Sequence, residues 1–279
     1  MTPSSIRPHP RLCNAAAAFA PVPGRAIAAG VLREFLIALQ FLTCVHFIRP
    51  PVLEPGRFGR SGVFFPLIGL LLGVAAWSVD SGLRLMLPVS LLSVVLVALL
   101  AILGRGLQLR GVAASAVGLL GHKPRAVRLA AMQDRPWGVV GIAALAAILV
   151  LKVTALACLD TGYRGAAVLL SPMLGRWACV VMAYSSRPAR NHGLGAAFMQ
   201  GLGFREFGTA SVITLILMLS LVEVGGLLVF LGLAGIMIGW ILYCNRRLDG
   251  VTGDVIGALG EIVETGAVCL FAVLESVVG

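Results

Sequence analysis

Cys244–Glu264, written CNRRLDGVTGDVIGALGEIVE, is the stretch whose residue types and spacing are best suited to chemistry. It lies between strongly apolar runs yet carries Arg246, Arg247, Asp249, Asp254, Glu261 and Glu264. Only 12 of the 279 residues are Asp or Glu, so acid gathered at the mouth of a greasy segment is unusual. Such carboxylates carry a hydration penalty that function must justify. Gly250-Val-Thr-Gly-Asp254 can open a helix, with Thr252 or Asp254 capping its first amides. In that helix Glu261 comes nearly into line with Asp254, and Glu264 follows one turn later on much the same side. The spacing predicts one acidic stripe beside two arginines, facing whatever the chain encloses.

Other polar residues stand in equally apolar surroundings. Arg176, in Ser171-Pro-Met-Leu-Gly-Arg-Trp177, falls near the middle of an apolar run. A guanidinium there needs an acid, a phosphate or a wet cavity. The alternatives are an ion pair with Asp254 or Glu261, and an anion ligand. Lys152 lies toward the far end of its own run, where a lysine can snorkel. Segment 105–137 is too polar to cross a bilayer and holds Arg105, Arg110, Lys123, Arg125, Arg128 and Arg135. These cations can gather a polyanion or attract anionic lipid head groups. Asp134, the single acid in that segment, is either a surface partner of Arg135 or a metal ligand. The glycine loop after Asn191-His192 is flanked by Arg187, Arg190 and Arg205, and Arg60 stands just before a span.

The elements that must position these groups are membrane helices. With 59% hydrophobic residues, 12% charged residues and a mean hydropathy of +0.98, a water-soluble fold is excluded. The fold class is all-α: a polytopic helical bundle with about seven crossings and a short re-entrant or interfacial N-terminal helix at Phe35–Ile48. The crossings expected are Gly62–Val79, Leu85–Gly104, Gly138–Leu159, Gly165–Tyr184, a Thr209–Tyr243 block split near Gly225-Gly226 into two helices, and Ile262–Val278. Residues 1–30 form a mobile Pro/Ala-rich tail, and 31–279 a single membrane-embedded domain. With this layout 18 of the 22 Lys and Arg residues share one face, which the positive-inside rule assigns to the cytoplasm. The net charge of +10 therefore speaks for orientation, and no nucleic-acid partner is expected. The six cysteines lack a Cys-x-x-Cys pair and are expected to be small buried hydrophobes.

Basic groups, a few acids and glycine turns thus meet at one rim of the membrane. That suits a phosphate-bearing substrate with a divalent cation. A transporter would more often set its carboxylates at the midplane on broken helices. Composition and spacing leave both open.

Several pieces in fixed order narrow this. They are Phe35-Leu-Ile-Ala-Leu-Gln-Phe-Leu-Thr43, Arg60-Ser-Gly-Val-Phe-Phe-Pro-Leu-Ile-Gly69, Met132-Gln-Asp134 with Gly138, and Leu151-Lys152. Pro172-Met-Leu-Gly-Arg-Trp177, Gly193-Leu-Gly-Ala-Ala-Phe198 and Gly250-Val-Thr-Gly-Asp-Val-Ile-Gly-Ala258 with Glu261 complete them. Over nearly all of 33–279 the chain resembles the cobalamin synthase family, the adenosylcobinamide-GDP ribazoletransferases. The resemblance implies an integral membrane enzyme of the plasma (inner) membrane that joins α-ribazole, or its phosphate, to adenosylcobinamide-GDP and releases GMP. It implies Mg2+ as cofactor, with Asp134, Asp254 and Glu261 as metal-binding or catalytic carboxylates. Arg60, Lys152 and Arg176 would hold the diphosphate or the charge of the departing GMP. A homo-oligomer or a partner enzyme of the same pathway is a further possibility.

One motif departs from the family's pattern. Where the family has His-Leu-Asp-Gly-Leu-Ala-Asp-Thr-Ala-Asp-Gly, this chain has Gln108-Leu-Arg-Gly-Val-Ala-Ala-Ser-Ala-Val-Gly118. Arg110, Ala114 and Val117 stand at the three aspartate positions. Arg110 can bind substrate phosphate but cannot hold a metal ion. Three readings follow: a transferase with relocated ligands, a relative that binds corrinoid, nucleotide or a partner enzyme without catalysis, and a small-molecule transporter.

Overall fold

The computed structural model describes residues 23–45, 55–121, 124–133, 137–159 and 162–278. Eleven α-helices run through them: α1 Pro23–Leu42, α2 Pro55–Arg60, α3 Phe65–Leu83, α4 Val89–Leu103, α5 Leu107–Leu119, α6 Arg125–Gln133, α7 Gly138–Ala157, α8 Arg164–Ser185, α9 Leu194–Gln200, α10 Phe204–Leu248 and α11 Gly253–Val278. Six stretches are long and apolar enough to cross a membrane: Gly56–Leu83, Gly138–Ala157, Arg164–Ser185, Phe204–Glu223, Gly225–Leu248 and Gly253–Val277. A seventh arises if the bent pair α4–α5 is one span. The fold is a polytopic helical membrane bundle.

The chain divides into two units between Arg33 and Glu34. Helix α1 starts at Pro23, within the segment expected to be tail, and residues 1–22 lie outside the described part. The expected short helix at Phe35–Ile48 is described as far as residue 45, and from Glu34 onward its Ile37, Ala38 and Leu42 enter the core.

Helices α8 and α11 are the inner pair, with 83% and 67% of their apolar windows buried. The two halves of α10, at 22% each, and α7, at 17%, present most of their surface outward. Small residues let the inner helices approach closely. A Cβ on Gly69 of α3 would lie 2.5 Å from the Pro172 carbonyl oxygen of α8, and one on Gly175 of α8 would lie 2.6 Å from the Gly260 carbonyl oxygen of α11.

Two expectations about the spans need restating. The Thr209–Tyr243 block does break into two helices, at Glu223 (φ 50°, ψ −134°), two residues before the expected glycine pair. The Leu85–Gly104 run instead gives the 15-residue α4, which starts after Pro88. Arg105 and Gly106 then adopt positive φ values of 56° and 58°, and the chain turns by 89° into α5. The beginning of the polar segment 105–137 is therefore no surface loop. Gly111, Ala113, Ala114, Ser115 and Gly118 are buried, and a Cβ on Gly111 would strike the backbone of α11 at Asp254. Hydropathy undervalues such a helix because glycine and alanine add little apolar area, yet they permit the contact.

Arg164, just before the expected Gly165–Tyr184 crossing, is wholly buried. Its Nε and Nη2 donate to Asp80 Oδ1 at 3.0 and 2.8 Å, and Nη1 donates to the Leu156 carbonyl oxygen at 2.6 Å. This group joins α3, α7 and α8. Cys44 and Cys158 are exposed, whereas Cys179 and Cys244 are buried as expected. Asp80→Ala strands the guanidinium and is expected to destabilise the purified protein in detergent by roughly 3–5 kcal/mol. Asp80→Leu with Arg164→Leu should recover much of that loss. An unchanged thermal unfolding curve for Asp80→Ala would show the pair to be idle.

Candidate functional site

The acidic stripe of α11 divides between two environments. Deep in the bundle, Lys152 of α7 donates to Glu261 Oε1 at 2.6 Å and to Glu264 Oε1 at 2.7 Å. Arg176 of α8 pairs with Glu264 Oε2 and donates to the Pro172 carbonyl oxygen at 3.2 Å. All four side chains are almost fully buried. Two cations face two carboxylates, so the group is neutral overall. The hollow beside it has a volume of about 20 Å³, room for little more than one water. Arg176 thus meets an acid, as one of the sequence alternatives required, but the acid is Glu264. Lys152 does not snorkel.

Asp254 lies at the mouth, ten residues before Glu264. Local backbone chemistry puts it there. Asp249 and Gly250 take left-handed φ values of 50° and 130°, which reverses the chain after α10. At Gly250 a Cβ would lie 2.6 Å from the Arg187 carbonyl oxygen. Val251 then pairs with the loop before α9: its N–H donates to Arg187 O and its oxygen accepts from Ala189 N, each at 2.8 Å. Thr252 Oγ1 accepts from the Val255 N–H at 3.3 Å and caps α11, one of the two caps expected. This pairing sets Arg190 and His192 beside Asp254.

Around Asp254 is a cavity of about 290 Å³. Arg110 of α5, Arg190, His192, Gly193 with the first turn of α9 (helical where a glycine loop was expected), Gln133 and Thr252 are among its walls. Arg110 Nη2 donates to Asp254 Oδ1 at 3.0 Å, with the arginine about half exposed and the acid mostly covered. Arg190 donates to the Leu129 carbonyl oxygen. Burial lowers its guanidinium below the ordinary arginine value, and the nearby Asp254 carboxylate works against that shift. Arg110 and Leu194 also line two further hollows. One, of about 510 Å³, is bounded by Phe41, Arg105 and Trp137. The other, of about 70 Å³, is largely apolar, with Phe41, Phe65 and Phe198 in its wall. Arg110 therefore stands where a polar and an apolar space meet.

The residues singled out from sequence are distributed as follows. Arg110 and Asp254 are brought together at this cavity. Lys152, Arg176 and Glu261 belong to the buried group and are not in the cavity's wall. Arg176 and Glu261 border one small hollow, and Asp254 is not part of it. Arg60 pairs with Glu34 at 3.0 Å and lines none of the three hollows around Arg110. Asp134 lies outside the described residues. Arg125 and Arg128, two of the cations expected to gather a polyanion, bond to backbone carbonyls: Arg125 to Leu248 and Ala189, and Arg128 to Leu119 and Gly121. Glu264 and Asp80 escaped the sequence-based site set. Glu264 had a signal, since two inner cations call for two inner acids.

The described residues do not fit the magnesium implied by the resemblance. Among them no three His, Cys, Asp or Glu side chains come together as a ligand set. Glu261 and Glu264 are held by Lys152 and Arg176, and Asp254 by Arg110.

Because the buried group is neutral only as a whole, Lys152→Met leaves two carboxylates against one guanidinium. It is expected to destabilise the protein by roughly 3–5 kcal/mol. Adding Glu261→Gln restores neutrality, so unfolding of the double variant should fall short of the sum of the singles by about 1–3 kcal/mol. Strict additivity would mean that the residues do not act as a unit.

The model of the family described as cobalamin-5-phosphate synthase matches residues 34–272. An adenosylcobinamide-GDP ribazoletransferase from Syntrophobacter fumaroxidans is 36% identical over 245 residues, covering 85% of this chain and 99% of that protein. A protein of the same name from Geotalea daltonii is 34% identical, covering 84% of this chain and 94% of its own. Another, from Roseiflexus, is 36% identical, covering 82% and 85%. No solved structure matches. With nearly the whole of the main unit matched in sequence, and the motifs at α8, α9 and α11 forming the inner bundle and its mouth, the chain belongs to the cobalamin-5-phosphate synthase family.

Proposed function

We propose that this chain is an adenosylcobinamide-GDP ribazoletransferase and that the cavity around Arg110, Asp254 and Arg190 receives the diphosphate of adenosylcobinamide-GDP. The observation that carries the reading is the junction at Arg110. Two arginines and the start of α9 face a polar space, and a wall of phenylalanines lies directly beside it. Guanidinium forks match phosphate oxygens. The amino end of α11 adds positive potential from its amides. The phenylalanine-lined hollow suits the flat aromatic base of α-ribazole.

The stoichiometry fixes the bond that breaks. GMP leaves, so the bridging P–O bond of the diphosphate opens and one phosphorus stays with the corrinoid. A ribazole oxygen forms the new P–O bond and gives up its proton. In such transfers positioning and charge neutralisation supply most of the rate. Arg110 and Arg190 meet the charge that grows on departing GMP, and Asp254 fixes the direction of Arg110. Of the carboxylates expected from the family, Asp254 is therefore read as a positioning residue, and Glu261 as part of the scaffold below. The protein is placed in the plasma (inner) membrane with its basic rim, and hence this cavity, toward the cytoplasm, where nucleotide substrates are available.

The absence of acid at Arg110, Ala114 and Val117 favours a second reading, a homologue that binds the nucleotide without turning it over. One assay separates them. Protein purified in detergent is expected to release GMP when both adenosylcobinamide-GDP and α-ribazole or its phosphate are present. Arg110→Ala should lower that rate by about 10²-fold, the usual effect of losing one charge-stabilising donor. Tight substrate binding with no GMP release would select the second reading. Failure of both binding and release would remove the proposal.

A further inference from the structure

The expected metal and the residues at the mouth disagree, and the disagreement has a direction. Asp254 is the only carboxylate among the described residues lining the cavity, and Arg110 Nη2 donates to it at 3.0 Å. Among the described side chains lining it, Arg110 and Arg190 against Asp254 leave one net positive charge, two cations less one anion. A divalent cation entering such a space meets repulsion. It would also have to displace Arg110 to reach a carboxylate oxygen, whereas magnesium is usually held through one or two carboxylates as well as substrate phosphates. A diphosphate meets the opposite situation: two guanidiniums already in place, half exposed or partly covered, together with the first amides of the 26-residue α11.

We infer that the guanidinium groups of Arg110 and Arg190 take the charge-neutralising place of a divalent cation, so that a nucleoside diphosphate binds to this cavity without metal. The inference rests on the cavity being a phosphate site, as proposed above. It deepens that reading by naming what meets the phosphate charge. Asp254 acts as the counter-charge that holds Arg110 in place while the cavity is empty. When the diphosphate arrives, its oxygens compete for the same guanidinium, which presents more than one edge.

The test uses the full-length protein in detergent, a fluorescent GDP derivative, and two buffers of equal ionic strength, one with EDTA and one with millimolar MgCl2. The expected result is binding in both buffers, with dissociation constants that agree within about threefold. Arg110→Gln and Arg190→Gln should each weaken binding about tenfold or more, as loss of a charge-assisted bond predicts. Arg110→Lys should fall between, because it keeps charge but loses the fork. Binding that disappears in EDTA and returns with magnesium would overturn the inference while leaving the phosphate site standing. Absence of binding in both buffers would remove the phosphate-site reading and this inference with it. The wild-type comparison needs no variant, so a poorly folded substitution cannot rescue the idea.

Discussion

The neutral group of Lys152, Arg176, Glu261 and Glu264 governs the rest of the bundle. Four charges in an apolar interior are tolerable only when their number and geometry balance. Three helices are therefore locked to one another at the level of these side chains: α7 through Lys152, α8 through Arg176 and α11 through both glutamates. The height of α11 follows. Ten residues of helix separate Glu264 from Asp254, a rise of roughly 15 Å. Arg176 cannot serve both, and its pairing with Glu264 is what leaves Asp254 at the mouth. The buried group positions the site without being part of it, and its 20 Å³ hollow admits no substrate.

At the mouth the main devices are backbone ones. Helix ends leave carbonyl groups without partners, and arginines satisfy several of them here. Arg125 bridges Leu248 and Ala189, and Arg128 closes the end of α5 at Leu119 and Gly121. A rim this basic is consequently less available to ligands than its charge suggests. Arg110 and Arg190 differ from these two in lining the cavity itself.

The spans were legible because a run of about twenty apolar residues has few alternatives in a bilayer. The break in the long block was legible too, since Gly225-Gly226 marked the place to within two residues of Glu223. The cap of α11 was narrowed to Thr252 or Asp254, and Thr252 is the one that bonds to the Val255 amide. What could not be read was which charges pair across helices. The stripe spacing placed Asp254, Glu261 and Glu264 on one side of α11, but the partner of each depends on the relative heights of α5, α7 and α8. Helix α5 was hidden for a related reason. Its Gly111 and Ala113–Ser115 look like a loop by hydropathy, and only the close backbone of α11 shows why small residues are needed there. The Asp80–Arg164 pair was missed because Arg164 stands at the start of its span, where an exposed charge is the ordinary expectation.

The substitutions in α5 can be understood from what each kind of cation contributes. A divalent ion concentrates two charges at one point and demands oxygen ligands from the protein. Two guanidiniums bring the same formal charge, distributed over directed N–H groups, and demand counter-charge only while the ligand is absent. Asp254 meets that demand for Arg110. Once an arginine occupies position 110, a carboxylate at 114 has no metal to hold and would add uncompensated negative charge beside a phosphate site. Ala114, which is buried and borders the cavity, carries no charge at all. Arg110 and Ala114 are thus consistent with one another electrostatically, whereas Val117 lies against Gly141 of α7 and nothing in the structure explains it. On the inference above Arg110 and Ala114 exchange the cation of the site, while the close approach of Gly111 to α11 ties α5 to the helix that carries Asp254.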